Sequence, residues 1–287
     1  MVIRYLLAGT LGPSGGPAMT DVLGVCVSWA DGRATIRRED GTLIDVRVDQ
    51  IISGKPVPPK PSIRHRVSPV EAQQRAMALF PDLVTERLGE WTLRHSPTQS
   101  ARRANSVLAV GSPGPEDAIA AITNWYLQQS RHPIAAVLVD SPEQALFEHA
   151  GWVPESDDPP TQFRIASVSH ALRLAYPATD DVRLSVEGEL AIASTGETDD
   201  PIATCVATYA DDWLGLRGLW VSEDHRRQGH ARRVVAELLR WGAERGARTA
   251  YLQALGNNQP ALALYTGFGF ALHHSYCYLA QPTSGSG

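Results

Sequence analysis

The chain has 287 residues, of which 43% are hydrophobic, and a formal net charge of -5. This length is enough for two or three folded units with ordinary cores, and the acidic balance argues against a broad nucleic-acid-binding surface. No apolar stretch is long enough to span a membrane. Cys26, Cys205 and Cys277 form no C-x-x-C pair of the kind found in zinc sites and disulfide frameworks. The composition therefore predicts a cytoplasmic protein without a metal site.

The first predicted unit, residues 1–58, consists of short β-strands. Its apolar N-terminus is too short for a signal peptide and no convincing cleavage site follows, so a strand is predicted there. Asp-Gly pairs at positions 31–32 and 40–41 indicate hairpin turns. Short, evenly spaced strands predict a small barrel similar to SH3-like or Tudor-like modules. The β-prone runs are residues 2–8, 21–29, 33–38 and 42–48.

Two roles for this barrel stay open. Peptide binding would use exposed aromatic side chains, and only Tyr5 and Trp29 would supply them. A contact between domains, or between the subunits of a homodimer, is therefore the favoured interpretation. A stiff linker to the next unit is predicted from Pro56, Pro58, Pro59 and Pro61.

The second predicted unit, residues 62–165, alternates helices with strands. It contains a polar cluster, Arg102, Arg103 and Asn105, directly before a predicted strand. Arg103 and Asn105 are the first candidates for contacts with a substrate. Helices are predicted at residues 68–80, 115–129 and 142–150, and strands at 91–95, 106–110 and 134–139.

The third predicted unit, residues 166–287, contains a loop whose sequence indicates anion binding. An apolar strand at 216–221 leads into a polar turn that contains Gly229, and a helix is predicted from about residue 230 to 245. The first N–H groups of a helix lack partners and lie at the positive end of the helix dipole, which favours a phosphate there. Glycine lets the phosphate approach the backbone. Positive charge comes from Arg226, Arg227, Arg232 and Arg233.

Two patterns in this unit resemble the fingerprints of the GNAT N-acetyltransferase family. The loop matches [RQ]-x-x-G-x-[GA] as Arg226-x-x-Gly229-x-Ala231, which resembles the family's acetyl-CoA pyrophosphate loop. Residues 258–270 match N-x-x-A-x-x-L-Y-x-x-x-G-F, the second fingerprint, which opens a helix near Pro260. The loop has neither the G-K-[ST] of a Walker loop nor G-x-G-x-x-G. The resemblance covers roughly residues 190–279.

The resemblance implies a GNAT fold, an α/β (α+β) architecture whose mixed central sheet is flanked by helices. Residues 146–152 read L-F-E-H-A-G-W and echo L-Y-T-G-F-G-F at 264–270. This predicts an internal repeat, in which residues 62–165 form a degenerate GNAT-like unit before the complete one at 166–287.

The predicted repeat lacks the family's functional residues. Phe147 stands where the complete unit has Tyr265, and Asp140 stands where it has Asn258. The turn at 111–114 has no arginine. A unit that packs beside the active one is therefore predicted, and part of the acceptor site is still expected to come from it.

For the complete unit, the resemblance implies a site for acetyl-CoA. Backbone groups of Leu219, Trp220 and Val221 would pair with the pantetheine arm where their strand splays from its neighbour. Asn258 would hold the arm from the opposite wall, and Ala261 belongs to the same site. The diphosphate would be held by Arg226, Arg227, Gln228, Gly229, His230, Ala231 and Arg232.

The resemblance also implies that Tyr265 is the general acid. A thiol has a pKa of about 8.5, so a phenol can protonate the departing sulfur; the alternative is a packed aromatic ring. Many relatives place a glutamate base five residues before the Asn, where this chain has Gln253, which cannot act as a base.

Other candidates for the base stay open. They are Asp211, Asp212, Glu223 or a chain of water molecules, and each acid is also interpretable as a solvated loop residue. His225 and His230 are interpreted as surface residues of the phosphate loop rather than metal ligands.

The leading hypothesis is an acetyl-CoA-dependent N-acetyltransferase in which a small-molecule or peptide amine attacks the thioester directly in a ternary complex. The net charge of -5 favours a cationic amine such as a polyamine, an aminoglycoside or a lysine side chain. The domain order is similar to that of multi-domain bacterial GNAT proteins. A regulatory module that binds acyl-CoA is the alternative. Acetylation of histone-like proteins guided by a Tudor-like reader is disfavoured by the few aromatic residues in the barrel.

Overall fold

The computed structural model describes residues 1–12, 15–38, 40–55, 66–175 and 181–282. The chain divides into two compact units, residues 1–61 and 62–287. The linker predicted from Pro56, Pro58, Pro59 and Pro61 lies outside the described residues.

The described part of the first unit forms two three-stranded antiparallel sheets. Its strands are β1 (Val2–Leu11), β2 (Pro17–Leu23), β3 (Val25–Ala30), β4 (Arg33–Arg37), β5 (Leu43–Arg47) and β6 (Ile51–Lys55). The strand orders are β2–β1–β6 and β3–β4–β5. Only Gly24 separates β2 from β3, and a Cβ there would lie 2.3 Å from the carbonyl oxygen of Arg37. Glycine is therefore required where the chain passes from one sheet to the other.

Both sheets contribute to one small core in this unit. Ile3 and Val22 come from one sheet, and Ala34, Ile36 and Val46 come from the other. The unit is all-β as predicted, but neither sheet closes on itself among the described strands, so a closed barrel stays a prediction. Residues 21–29, predicted as one strand, are divided between β2 and β3. Strand β6 was not predicted.

The first half of the second unit, defined here as residues 66–167, places helices between strands. Its elements are α1 (Pro69–Arg75), β7 (Val84–Leu88), β8 (Trp91–His95), β9 (Val107–Ala109), α2 (Ala118–Gln128), β10 (Ile134–Leu138), α3 (Pro142–His149), β11 (Val153–Pro154) and β12 (Thr161–Ser167). The helix predicted at 68–80 ends at Arg75 and continues as a 3-10 turn to Leu79. Strands β7 and β12 were not predicted.

The second half, residues 168–282, contains the predicted loop and the second fingerprint. Its elements are α4 (Val168–Leu174), β13 (Arg183–Glu187), β14 (Leu190–Gly196), β15 (Pro201–Ala210), β16 (Trp213–Val221), α5 (His230–Glu244), β17 (Thr249–Leu255), α6 (Gln259–Gly267) and β18 (Ala271–Ala280).

The two halves follow the same order of elements. In each, antiparallel strands lead to a helix, then to a strand parallel to the last of them, then to a second helix and a final strand. The parallel pairs are β9 with β10 and β16 with β17. This shared order gives each half the same framework around the end of its parallel pair.

The final strands of the two halves are exchanged. β12 ends the first half but pairs along its whole length with β17, whereas β18 ends the second half and pairs with β10. The two exchanged strands also pair with each other. The result is one mixed sheet of twelve strands in the described part of the unit, and the predicted border after residue 165 falls inside β12.

Helices cover both faces of this sheet around β16. Leu214 and Leu216 belong to the core that α5 forms with β14 to β17. Trp213, from the opposite face of the same strand, packs in a second core with Phe163, Tyr251 and residues of α1. Side chains alternate between the two faces of a strand, so Arg217 projects to the same face as Trp213, where it lies over the ring of Phe80.

Candidate functional site

Strands β16 and β17 separate partway along their length. They pair in parallel from Trp213 with Thr249 to Leu216 with Leu252, and no pairing between them follows. Beyond that point β16 continues to Val221 against β15 alone, with an irregularity next to Gly218, whose φ is 63°. The predicted pantetheine-binding residues 219–221 lie on this diverging segment. A gap with free backbone groups therefore opens where the resemblance implied one.

The predicted anion loop joins the end of β16 to the start of α5. Helix α5 begins at His230, and Gly229 before it has a φ of 87°, a left-handed conformation that favours glycine. No side chain caps this helix, and a Cβ on Gly229 would meet no atom within 4 Å. The first N–H groups of α5, including that of Ala231, thus lack a capping side chain and lie beside open space at Gly229, an arrangement that suits an anion.

The arginines of the loop are not equivalent. Arg226 pairs with Glu223 at 3.2 Å, and Arg233 pairs with Asp181 at 3.1 Å. Arg232 donates to the carbonyl oxygen of Leu174 and lies over the ring of Phe268. Its guanidinium is therefore held away from the turn, contrary to the expectation that it adds charge there.

Arg227 differs from these three. It is exposed, and the structure gives it no partner among the described residues. Its φ of 66° is an uncommon conformation for a residue other than glycine, and Gln228 beside it donates to the carbonyl oxygen of Asp224. The loop is thus held in shape by its own hydrogen bonds while one arginine stays available to a ligand.

His225 and His230 stabilise the loop. Nδ1 of His230 lies 3.0 Å from the hydroxyl of Thr195 and 2.9 Å from a guanidinium nitrogen of Arg233. Burial, and then the charge of Arg233, lowers the pKa of His230, so the ring is neutral and accepts from Arg233. His225 packs edge-on against it at 6.1 Å. Among the described residues, no cluster of three or more acidic, His or Cys side chains could hold a metal ion.

Asn258 caps the helix that carries Tyr265. Its side-chain oxygen accepts from the N–H of Ala261 at 3.2 Å, which fixes the start of α6. The amide NH2 of Asn258 is left for another partner. Only this end of the side chain can therefore contact the pantetheine arm.

Tyr265 lies in the core that faces α5. It is 7% exposed, and its ring packs edge-on against Phe270 at 5.9 Å. Burial raises the pKa of Tyr265, which keeps its hydroxyl protonated at neutral pH. The described residues offer this hydroxyl no hydrogen-bond partner, so its proton is not committed within the chain.

The acidic candidates for a general base are poorly placed. Asp211 and Asp212 precede β16, whereas the gap opens towards its other end, and nine strand residues span about 25 Å. Asp211 is 85% exposed, and Glu223, which is 83% exposed, pairs with Arg226. Gln253 accepts a hydrogen bond from Tyr276, whose hydroxyl also lies 3.4 Å from that of Tyr278.

The two substrate candidates of the first half have different environments. The oxygen of Asn105 accepts from the N–H of Ser96, and its NH2 donates to the carbonyl oxygens of Gln99 and Ala101. All its hydrogen-bonding groups are thus used to hold the loop between β8 and β9. Arg103 has a buried Nη1 without a partner among the described residues. Burial raises the pKa of Tyr265, and the nearby charge of Arg103 offsets a small part of that rise.

Sequence reasoning missed Arg217, Tyr276 and Tyr278. Arg217 interrupts an apolar strand, and the tyrosines alternate in β18. A charged residue within an apolar strand was a signal available from the sequence. The position of Tyr276 beside Gln253 was not, because it depends on the exchange of strands.

Comparisons with known proteins agree with this architecture. A family profile described as "Probable histone acetyltransferase Rv0428c C-terminal" matches residues 68–279. The probable histone acetyltransferase Rv0428c of Mycobacterium tuberculosis is 26% identical over 292 aligned residues, which cover 94% of this chain and 91% of that protein.

Solved structures are similar in fold. A GCN5-related N-acetyltransferase from Kribbella flavida has a TM-score of 0.58 at 17% identity, covering 78% of this chain and 97% of that one. A tandem GNAT protein from the clavulanic acid biosynthesis pathway has a TM-score of 0.51 at 14% identity, covering 75% and 90%. No helix in the described ranges is long and apolar enough to cross a bilayer.

The family profile spans well over half of the sequence, and the relatives in sequence and in fold are named acetyltransferases. The chain therefore belongs to the family of the Rv0428c C-terminal region and is an N-acetyltransferase of the GNAT type.

Proposed function

We propose that the chain transfers an acetyl group from acetyl-CoA to a primary amine, with both bound together in the second half of the second unit. The observation that carries this proposal is the uncapped start of α5 beside the gap between β16 and β17. Gly229 leaves open space over the helix N-terminus, and the diverging strand offers backbone groups for an extended arm. These features fit a diphosphate joined to a pantetheine chain.

The chain's own residues would bind and orient the cofactor. Backbone N–H groups at Gly229, His230 and Ala231 would hold the diphosphate, with the charge of Arg227 beside them. Residues 219–221 would pair with the arm from one side and the NH2 of Asn258 from the other. Acetyl-CoA supplies the acetyl group as a thioester. Positioning it against the amine removes much of the entropic barrier to attack.

The transfer forms a C–N bond and breaks a C–S bond. The amine loses one proton, and the departing sulfur gains one. Tyr265 would donate the proton that the departing sulfur gains. Burial keeps its hydroxyl protonated, and no described residue forms a hydrogen bond with that hydroxyl. The chain places no carboxylate at Gln253, so the amine must reach the site in its neutral form or pass its proton to water.

We propose that the first half of the second unit is a degenerate GNAT-like repeat and that the two halves correspond to the domains predicted at 62–165 and 166–287, with the border moved to the end of β12. Their shared order of elements and the echo between residues 146–152 and 264–270 support this. The first unit would act as a barrel-like module in contacts between domains or subunits. The Mycobacterium tuberculosis relative is named a probable histone acetyltransferase, so a protein lysine is one acceptor to test.

Thiol release from acetyl-CoA tests the proposal directly. The full chain would be assayed with polyamines, aminoglycosides, amino acids, N-terminal peptides and lysine-containing peptides. Turnover with any of these amines is expected. Binding of acetyl-CoA by calorimetry without turnover in any pool would contradict the proposal and favour a regulatory acyl-CoA-binding module.

A further inference from the structure

Two arginines next to the proposed acetyl site bury nitrogen atoms that have no hydrogen-bond partner in the described part of the chain. They are Nη1 of Arg103, in the β8–β9 loop, and Nε of Arg217, in β16. Neither residue forms an ion pair with any other described residue. A buried donor without a hydrogen-bond partner destabilises the folded chain, so this arrangement is unfavourable unless a ligand accepts from it.

The surroundings of the two arginines have too little negative charge to balance them. Burial and the charge of Arg103 both lower the pKa of Arg217, and the opposing carboxylate is that of Asp82. Asp82 is already engaged, since it accepts from the hydroxyls of Ser96 and Thr98 at 2.6 Å each. Buried Arg94 adds a further positive charge, and it donates hydrogen bonds to the carbonyl and hydroxyl oxygens of Ser106.

The two arginines also lie close to the acetyl site proposed above. Arg217 directly follows Leu216, the last β16 residue that pairs with β17, so it stands at the opening of the gap. The charge of Arg103 acts on the hydroxyls of Tyr265, Tyr251 and Tyr278. Arg103 comes from the first half of the unit, which therefore contributes to the site.

We propose that Arg103 and Arg217 bind an anionic group of the acceptor, so that the substrate is a primary amine that carries a carboxylate or phosphate. This inference rests on the proposed function and specifies its substrate class. It reverses the preference for a cationic amine that the net charge of -5 suggested. Guanidinium groups bind carboxylate and phosphate oxygens through charge-assisted hydrogen bonds.

The same two charges also explain how the site works with Gln253 in place of a carboxylate. A positive environment disfavours the ammonium form of a bound amine and so lowers the pKa of that amine. The neutral, nucleophilic form then becomes more abundant at neutral pH. An acceptor whose own anion is held by the arginines tolerates this environment, whereas a polyamine is repelled.

Matched pairs of amines test the substrate class. Glycine and β-alanine would be compared with their amides, and O-phosphoethanolamine with ethanolamine, by thiol release from acetyl-CoA. The anionic member of a pair is expected to have a KM at least tenfold lower. The carboxylate and phosphate pairs distinguish the two anions. Equal KM values, or a preference for spermidine or lysine peptides, would overturn the proposal.

Substitutions locate the effect. R217Q and R103Q are expected to raise the KM of the anionic amine roughly 10- to 100-fold with little change for its neutral partner. R217K would recover part of the loss. Exposed Arg87, on the edge strand β7, provides the matched control R87Q, which should behave as wild type. A uniform loss of turnover in R217Q for both members of a pair would contradict anion recognition.

Binding separates this inference from the proposed function. Calorimetry with N-acetylglycine and the neutral N-methylacetamide, both in the presence of CoA, needs no turnover. N-acetylglycine binding that R217Q weakens at least tenfold supports the anion site even if no amine is acetylated. If N-acetylglycine does not bind while amines turn over, the function stands and the anion site is refuted.

Discussion

The loops that follow β9 and β16 occupy equivalent positions in the two halves of the second unit, but their backbone N–H groups have different surroundings. After β9, the N–H of Gly111 donates to the carboxylate of Glu143 at 2.7 Å, and the N–H of Ser112 donates to that of Glu90 at 2.6 Å. After β16, the N–H groups around Gly229 face open space instead. The first half thus supplies its own anions where the second leaves room for one.

The helix that follows each parallel pair shows the same contrast. Phe147 of α3 is fully buried and stacks on Trp91 at 5.3 Å, so it acts only as core. Tyr265 of α6 is nearly as buried but carries a hydroxyl without a partner among the described residues. The phenolic oxygen of Tyr265 is the atom that Phe147 lacks, and substitution of Tyr265 by Phe removes it.

The largest expected effect on activity comes from replacing Tyr265 of the second half by phenylalanine, the residue that the first half has at position 147. Y265F should lower kcat about 100-fold, because general-acid catalysis typically contributes 10²–10⁴-fold. Thiol release would measure kcat, and calorimetry should show an unchanged Kd for acetyl-CoA. The matched control is Y126F in α2, which removes a buried hydroxyl from the separate core of the first half. Lost acetyl-CoA binding in Y265F would refute its role as an acid.

A second prediction concerns the seam where the exchanged strands meet. Gln73 donates to Nε2 of His274, whose Nδ1 lies 2.7 Å from that of His273, and Nε2 of His273 donates to the carbonyl oxygen of Val67. Burial, and then His273, lowers the pKa of His274 from 6.5 to about 3. The neutral ring is the one that the folded state accommodates.

The lowered pKa of His274 should make the folded chain less stable at acidic pH. The neutral His274 ring contributes fully to stability above pH 6.5, which is the pKa of a histidine in the unfolded chain. This contribution is lost as the pH falls towards 3, the pKa of His274 in the folded chain. The loss is at most about 1.4 kcal/mol per pH unit, or roughly 2 kcal/mol at pH 5. Urea unfolding between pH 7.5 and 5 would measure it. H274F should flatten the slope, whereas the exposed control H149Q should not.

Opening the filled loop of the first half should cost less. E143Q weakens the acceptor of the Gly111 N–H, and a loss of about 1–2 kcal/mol is expected. The melting temperature would fall by about 2–8 °C in calorimetric scans. The control E148Q, on the exposed side of α3, should melt as wild type does. An unchanged melting temperature for E143Q would show that the carboxylate does not stabilise this loop.

The smallest effect is expected from Arg227. R227Q should raise the Kd for acetyl-CoA about three- to tenfold, and the difference should shrink in 0.5 M salt, because exposed charges are screened. R226Q is the matched control, since Arg226 is paired with Glu223. Equal effects of the two substitutions would mean that the loop attracts the diphosphate only through its overall charge.

Local features of the second unit were predictable from the sequence because they depend on local chemistry. Gly229 before a strong helix former indicated a left-handed residue and an open helix start, and α5 begins at His230. The echo between residues 146–152 and 264–270 predicts an internal repeat, and the shared order of elements in the two halves supports this prediction. Trp91–His95 matched a predicted strand throughout its length.

Features that depend on distant parts of the chain were not predictable. The exchange of β12 and β18 requires pairing across more than 80 residues, which no local pattern encodes. The direction of the Arg232 side chain depends on Leu174 and Phe268, which come from other helices or their ends. Asn105 was interpreted as a substrate contact because its hydrogen bonds within the loop cannot be seen in a sequence.

The central claim is that the chain holds one acetyl-CoA, at the open loop of the second half. Calorimetric titration of wild type, G229D and G229N with acetyl-CoA tests it most directly. Asp and Asn both tolerate the left-handed conformation of residue 229 better than most residues do. G229D would also place a carboxylate at the loop, as Glu90 and Glu143 do in the first half.

We expect one site per chain in wild type, at least tenfold weaker binding in G229D, and binding in G229N close to that of wild type. Two sites per chain, or equal binding by wild type and G229D, would contradict it.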